Sequence, residues 1–490
     1  MATNHLLRQK PRNHAGWKFS LGFILHVPLA LLMVEYPVVG WLHVLVTLGV
    51  GLWLIISTSK YERAAFVCAY VVGAEVLWRM TKTPIFWESG KYAAVLLLLV
   101  ALLRHGRLKF QLLPIIYFIL LLPALLIVFS SLGFEKSRGE VSFNLSGPLT
   151  VMMSALYFSQ LRLTQEQLYR LLLVITVPVC GIFTIALYST LTGSAILFNN
   201  ASNFRTSGGF GPNQVSSILG LGALVAFYYV LNGKSRIGFK ALLLGLIFLF
   251  ATFSALTFSR NGLFTAAAGA LASSIFLLKG TRTRLKVTLV VTLMLAGAYY
   301  VIVPRLENFT SGEIISRFGN TSVTGRDRMA MTDLRVWWDN PIFGVGPGMV
   351  HTYYESMFGL TGIPAHTEFS RMLSEHGLLG LFSLLILTFM AFDNFNQSRD
   401  AQHRALIIGL LIWTLFYMMG NAMRLLAPAF IFGVTFVRVV SGDPQYVRRY
   451  YDAALNKYWM VSRPGTSGTV PEPYRAGWRT SGKVLQATRR

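Results

Sequence analysis

Charge is scarce in this chain, and acidic charge is scarcest. Only 20 Asp and Glu stand against 44 Lys and Arg in 490 residues; 13% of positions are charged while 54% are hydrophobic. That balance excludes an ordinary soluble globular protein and reads as a polytopic membrane protein. Cysteine is nearly missing: Cys68 and Cys180 both lie in apolar stretches, which excludes a disulfide framework or a Cys-based metal site and leaves two packing residues. The acids never pair as Asp-x-Asp or Glu-x-Asp, so no magnesium or manganese site built from clustered carboxylates, and no other metal or cofactor, is expected. A GxxxxGK[ST] loop, a serine nucleophile elbow and an HExxH helix are all lacking, which removes ATP-driven transport by this chain alone. The basic N-terminus carries no cleavable signal and leads straight into a first retained span.

What is present is a run of apolar stretches near the roughly 20 residues that cross a bilayer. About fourteen helices (12–14) are expected, centred near Leu25, Leu48, Val71, Leu98, Leu120, Met153, Pro178, Leu221, Ile247, Ala268, Leu293, Leu384, Ile412 and Phe430. The net charge of +24 would point to nucleic acid in a soluble domain, but here the basic residues lie in short runs between spans, where they set topology. Taking alternate faces, 30 of the 44 Lys and Arg fall on the side of the N-terminus and 13 on the other, with Arg371 on the helix after the long loop. The positive-inside rule then predicts a cytoplasmic N-terminus over 1–18, helices 1 to 11 over 19–303, a large outer loop over 304–365, helices 12 to 14 over 366–440 and a basic cytoplasmic tail over 441–490. The start of that tail mixes Tyr446, Arg448, Arg449, Tyr450, Tyr451 and Trp459, as an interfacial helix does, and its Pro-, Gly- and Arg-rich end reads as disordered.

A loop of some sixty residues is uncommon unless it folds into something that works. Within it, Gly325 to Trp338 reads as a helix that Asn340-Pro341 ends, and Gly344, Gly346, Pro347 and Gly348 form a tight turn where backbone can approach a ligand. Thr367 can cap a second helix closing at Gly377, which puts His366 at the mouth of a helix N-terminus, a place that favours negative charge. Two outward arginines stand in apolar surroundings, Arg205 in a glycine-rich turn that runs to Asn213 and Arg260 in Ser259-Arg-Asn-Gly262. A guanidinium grips two phosphate oxygens at once and keeps its charge; the plain alternative is an arginine that snorkels to lipid headgroups. Glu75 and Arg79 are spaced as a helical ion pair, and His26 and His43 within early spans read as packing histidines before proton relays.

Together these pieces resemble the O-antigen ligase and polymerase family of bacterial membrane glycan transferases. The resemblance runs from about Arg205 to Gly380: Arg205-Thr-Ser-Gly-Gly-Phe-Gly-Pro-Asn213, Ser259-Arg260-Asn-Gly262, Gly325-Arg326, Asn340-Pro-Ile-Phe-Gly-Val-Gly346, Ala365-His366-Thr-Glu368, and Glu375-His-Gly-Leu-Leu-Gly380. Many relatives carry His-Asn where this chain has His366-Thr367. The resemblance implies a GT-C-like fold in the bacterial inner membrane. It also implies metal-independent, inverting transfer, on the periplasmic face, of an undecaprenyl-diphosphate-linked glycan to an acceptor hydroxyl. The acceptor is the lipid A core for a ligase, a second lipid-linked glycan for a polymerase, or a protein hydroxyl. Arg205, Arg260 and Arg326 are expected on the diphosphate, where negative charge grows as it leaves, and His366 on the attacking hydroxyl, with Glu368 beside it. Asn213, Arg328 and His351 are secondary candidates, while His376 and Glu375 read equally well as helix-end residues. A lipid-linked glycan flippase or transporter is the competing class; it should show internal repeats and paired midplane charges, and the notable charges here gather at one face. Membrane lipids, and no nucleic acid, complete the expected partners.

Overall fold

The computed structural model describes residues 15–105, 111–193, 196–278, 281–320, 325–359, 365–398 and 400–440. The expected N-terminal segment to residue 14 and the basic tail from residue 441 lie outside the described residues. The described elements are helices joined by turns and connections, apart from a two-residue parallel pairing in which Arg162 and Leu163 face Arg438 and Val439.

Every expected span centre but Leu120 falls within a helix, and Leu120 lies at the break between Leu112–Ile119 and Ala124–Phe158. Among the described residues eight helices are long and apolar enough to cross a membrane, nine if that bent pair is one span. The chain is thus a polytopic membrane protein, and among the described residues fewer helices reach full spanning length and apolarity than the expected twelve to fourteen. The difference has local causes. Arg63–Met80 carries Glu75 and Arg79, and Leu426–Val434 is only nine residues long. Centres near Leu120 and Met153 share the one bent pair.

The Pro212–Asn232 helix is the most enclosed of the spans, and Arg260–Leu277 packs directly along it. Pro212 opens it at a position whose N–H would have no intrahelical partner, so the proline costs nothing there. Gly262 permits the contact between the two helices: a Cβ there would sit 1.9 Å from the Ser216 carbonyl oxygen. Ser216 Oγ meets Ser254 Oγ at 2.9 Å, donates to the Ser259 carbonyl and accepts from the Gly262 N–H, so the Ser259–Gly262 motif is sewn to the start of its neighbour.

His26 and His43 belong to a closed hydrogen-bond chain. Trp78 can only donate, so His43 Nδ1 accepts from it at 2.8 Å; with neutral rings His43 Nε2–H then donates to Tyr70 and Tyr70 O–H to His26 Nε2. His26 Nδ1–H finishes on the Gly22 carbonyl. Both ends are groups that pass no proton, which matches the packing reading.

The first residues of the expected loop, from Pro304, are helical. Val303 N–H reaches back to the Ala298 carbonyl, a five-residue π turn that absorbs Pro304, and the helix continues to Phe309. Three short helices follow, Glu313–Gly319, Arg326–Asp339 and His351–Phe358.

Candidate functional site

The helix start that carries His366 forms as its sequence predicts. Thr367 Oγ1 accepts from the Ser370 N–H at 3.2 Å, and at Gly377 the backbone turns non-helical, φ 62° and ψ −140°, before helical geometry resumes to Gln397. Such a break leaves carbonyls and an N–H without their intrahelical partners. The glycine turn supplies them: Val345 and Gly346 N–H donate to the Ser374 and Glu375 carbonyls at 2.9 and 3.0 Å, and Leu378 N–H to the Pro341 carbonyl at 2.7 Å. The close backbone approach expected of Gly344 and Gly346 is therefore made to this helix. It locks the loop onto the shaft below His366.

His366 lines a cavity of about 180 Å³ together with Phe204, Asn213, Gln214, Tyr417, Asn421 and Arg424. Burial first, then the Arg326 and Arg424 guanidiniums, hold its imidazole down at about 4. The ring is neutral at pH 7, with one nitrogen lone pair open to a hydroxyl proton. Asn213 is held by Ser259, whose Oγ donates to Oδ1 at 2.6 Å. Asn421 Nδ2 and Arg424 Nε are buried donors with no hydrogen-bond partner among the described residues, an arrangement suited to an acceptor-rich ligand.

Beside this cavity lies a cluster of guanidiniums. Burial, then Arg260 and Arg317, push the Arg326 pKa down, and burial followed by Arg260 does the same to Arg317. Backbone carbonyls anchor them: Arg260 donates to Asn320, Arg317 to Phe258 and Asn200 at 2.9 and 2.7 Å, Arg326 to Gly420 at 3.1 Å and Arg424 to Ala365. Among the described residues no carboxylate forms an ion pair with Arg317, Arg326 or Arg424. Mutually repelling cations held by neutral groups make a field that a polyanion would relieve.

Other expected site residues are placed elsewhere. Arg205 lines an adjoining depression of about 310 Å³ with Asn199, Asn203 and Phe204, and its Nε donates to the Ser189 carbonyl at 3.2 Å. Phe204 borders both hollows. Glu368 does not line the cavity: it is fully buried, bound to Arg371 at 2.6 Å and accepting from the Met423 N–H at 2.9 Å. Glu375 holds the other arm of Arg371 at 2.7 Å, and His376 is buried against the Leu121 carbonyl. His351 is tied to the Gly348 carbonyl and Arg328 is exposed; neither reaches the cavity. Sequence reasoning passed over Arg424 and Gln214. Arg424 was one more outward arginine, without a glycine motif to mark it.

Residues 245–385 match the family model described as O-antigen ligase. That match covers less than a third of the chain. No curated protein matches the chain. The matched residues take in Arg260, Arg317, Arg326 and His366, while Arg205, Asn213 and Arg424 lie outside them. The membrane spans and this match support a membrane glycan-transfer role in O-antigen biosynthesis.

Proposed function

We propose that the chain transfers a glycan from an undecaprenyl diphosphate carrier to an acceptor hydroxyl, without a metal, on the periplasmic face of the bacterial inner membrane, as O-antigen ligase or polymerase. The observation that carries the reading is the single cavity holding a neutral His366 beside Arg424, with Arg326 close enough to act on the imidazole. In the step, the acceptor oxygen bonds to the anomeric carbon while the bond from that carbon to the diphosphate oxygen breaks. The electron pair leaves on the diphosphate and the hydroxyl proton passes to His366. Attack opposite the leaving group inverts the anomeric centre. Negative charge grows on the diphosphate, which Arg424, Arg326 and Arg260 are placed to neutralise. Arg205, in the adjoining depression, would take a more distant part of the same donor.

The test is the purified protein in liposomes with a lipid-linked glycan donor, offered lipid A core, a second lipid-linked glycan and a protein acceptor in turn. His366→Ala should abolish bond formation without unfolding the protein. Arg260→Lys and Arg326→Lys should each lose most activity, since lysine has no planar fork. Carrier translocation without a new glycosidic bond would assign the chain to the flippase class instead.

A further inference from the structure

The connection from Asn421 to Leu425, which forms one wall of the cavity, is not helical, so its backbone groups need partners from elsewhere. Three charged side chains buried in the bundle provide them. Glu75 accepts the Leu426 N–H at 2.7 Å, Glu368 accepts the Met423 N–H at 2.9 Å, and both terminal nitrogens of Arg79 donate to the Arg424 carbonyl at 3.2 Å. Arg79 in turn is gripped by Glu75 at 2.8 Å, stacks over Trp87 and donates to Gln214, another cavity residue, at 3.2 Å. On the far side, the Arg424 guanidinium donates to the carbonyl of Ala365, next to His366. The wall and the helix start are thus cross-bonded twice, once through Arg424 and once through Glu368.

We infer that Arg424 is a donor-binding residue of this site and that the buried Glu75–Arg79 pair is the device that positions it. The inference rests on the diphosphate-binding reading above. A wall held by solvated backbone would let Arg424 swing. Bonded to a buried ion pair, it is presented to the cavity in one orientation, with its Nε left for the ligand. Glu75 and Arg79 touch no ligand and act through the Arg424 backbone. A bare ion pair deep in a helical bundle is costly, and the bonds from the Leu426 N–H to Glu75 and from Arg79 to the Arg424 carbonyl and Gln214 help to offset the cost.

The experiment is a double-mutant cycle on the full chain in detergent. Binding of an isoprenyl diphosphate without sugar is measured directly, so that its outcome does not depend on glycan transfer. Arg424→Gln should weaken binding, and Glu75→Gln should weaken it by a similar factor, of the order of ten-fold for residues in one network. The double variant should bind no more weakly than Arg424→Gln alone. In the transfer assay, Glu75→Gln should raise KM for the donor more than it lowers kcat. Leu426→Pro supplies a second route: it deletes only the N–H given to Glu75, at a helix position that accepts proline after an extended Leu425, with Leu426→Val as the control for lost packing. If it too weakens binding while the valine variant does not, the positioning role stands even should Glu75→Gln fail to fold. Multiplicative losses in the double variant, or unchanged affinity in both Arg424→Gln and Leu426→Pro, would overturn the inference. Intact diphosphate binding in a chain that transfers no glycan would instead refute the enzymatic reading and leave this one standing.

Discussion

Gly344 and Gly377 meet backbone to backbone: a Cβ on Gly344 would lie 2.4 Å from the Glu375 carbonyl carbon, and one on Gly377 2.5 Å from that of Ile342. Both residues also take positive φ, 68° and 62°. Gly377→Ala should therefore cost more than the roughly 1–2 kcal/mol of a left-handed alanine, because at ψ −140° Gly377 lies outside the left-handed helical basin and the loop must also back away from the helix. Gly359→Ala, at φ 64° and ψ 19° with open space around it, measures the cost of a left-handed alanine without a clash. Melting both variants in detergent should show the larger drop for Gly377→Ala, with activity lost alongside.

The depressed His366 pKa predicts the acid limb of the reaction. In the free protein the imidazole protonates near 4, so kcat/KM should hold down to about that pH and fall below it, well under the ordinary histidine range. A bound diphosphate offsets the Arg326 and Arg424 charges and favours the imidazolium, so the limb in kcat should lie at higher pH than the limb in kcat/KM. Arg326→Gln removes one of the depressing charges and should move the kcat/KM limb upward. Transfer rates between pH 3.5 and 8 decide it, and a limb for the variant at unchanged pH would refute the coupling.

Glu368 should behave as a structural anchor. Glu368→Ala leaves Met423 N–H without an acceptor and Arg371 with one carboxylate instead of two; breaking a pair this buried costs about 3–5 kcal/mol. Loss of folded protein by size-exclusion chromatography is the expected result. A well-folded but inactive Glu368→Ala protein would return Glu368 to the chemistry.

Asp333 gives the loop an unusual pH response. Burial lifts its carboxyl to about 6, against hydrogen bonds from Tyr354 and Ser370 that favour the anion. The folded state therefore holds a proton that the unfolded chain has already released, so stability falls as pH rises from about 4 through 6. The hydrogen-exchange protection of the Arg326–Asp339 helix, taken relative to the intrinsic exchange rate at each pH, should rise on acidification from pH 7 to 5. Asp333→Asn should flatten that dependence.

The parts of the site read correctly from the sequence are those written locally. Thr367 lies three residues before the Ser370 N–H it caps, and Gly377 marks the break in its own helix. Glu75 and Arg79 pair at a spacing visible on the page. Arg424 was not legible because its role comes from Arg79, 345 positions away, and Ala365, 59 away. Glu368 was misplaced for the converse reason: a carboxylate beside His366 in sequence points instead into the bundle, where Arg371 on the same helix claims it. The segment from Pro304 lacks the apolar run of a span, yet a π turn just before it lets the helix run on to Phe309.

The short parallel pairing of Arg162–Leu163 with Arg438–Val439 bears on the order of assembly. It joins the first third of the chain to the end of the described segment, just past the wall that carries Arg424. A ribosome must release nearly the entire polypeptide before that wall can settle against His366, so a nascent protein halted at residue 385, where the family match ends, would already hold its histidine yet lack the wall that carries Arg424.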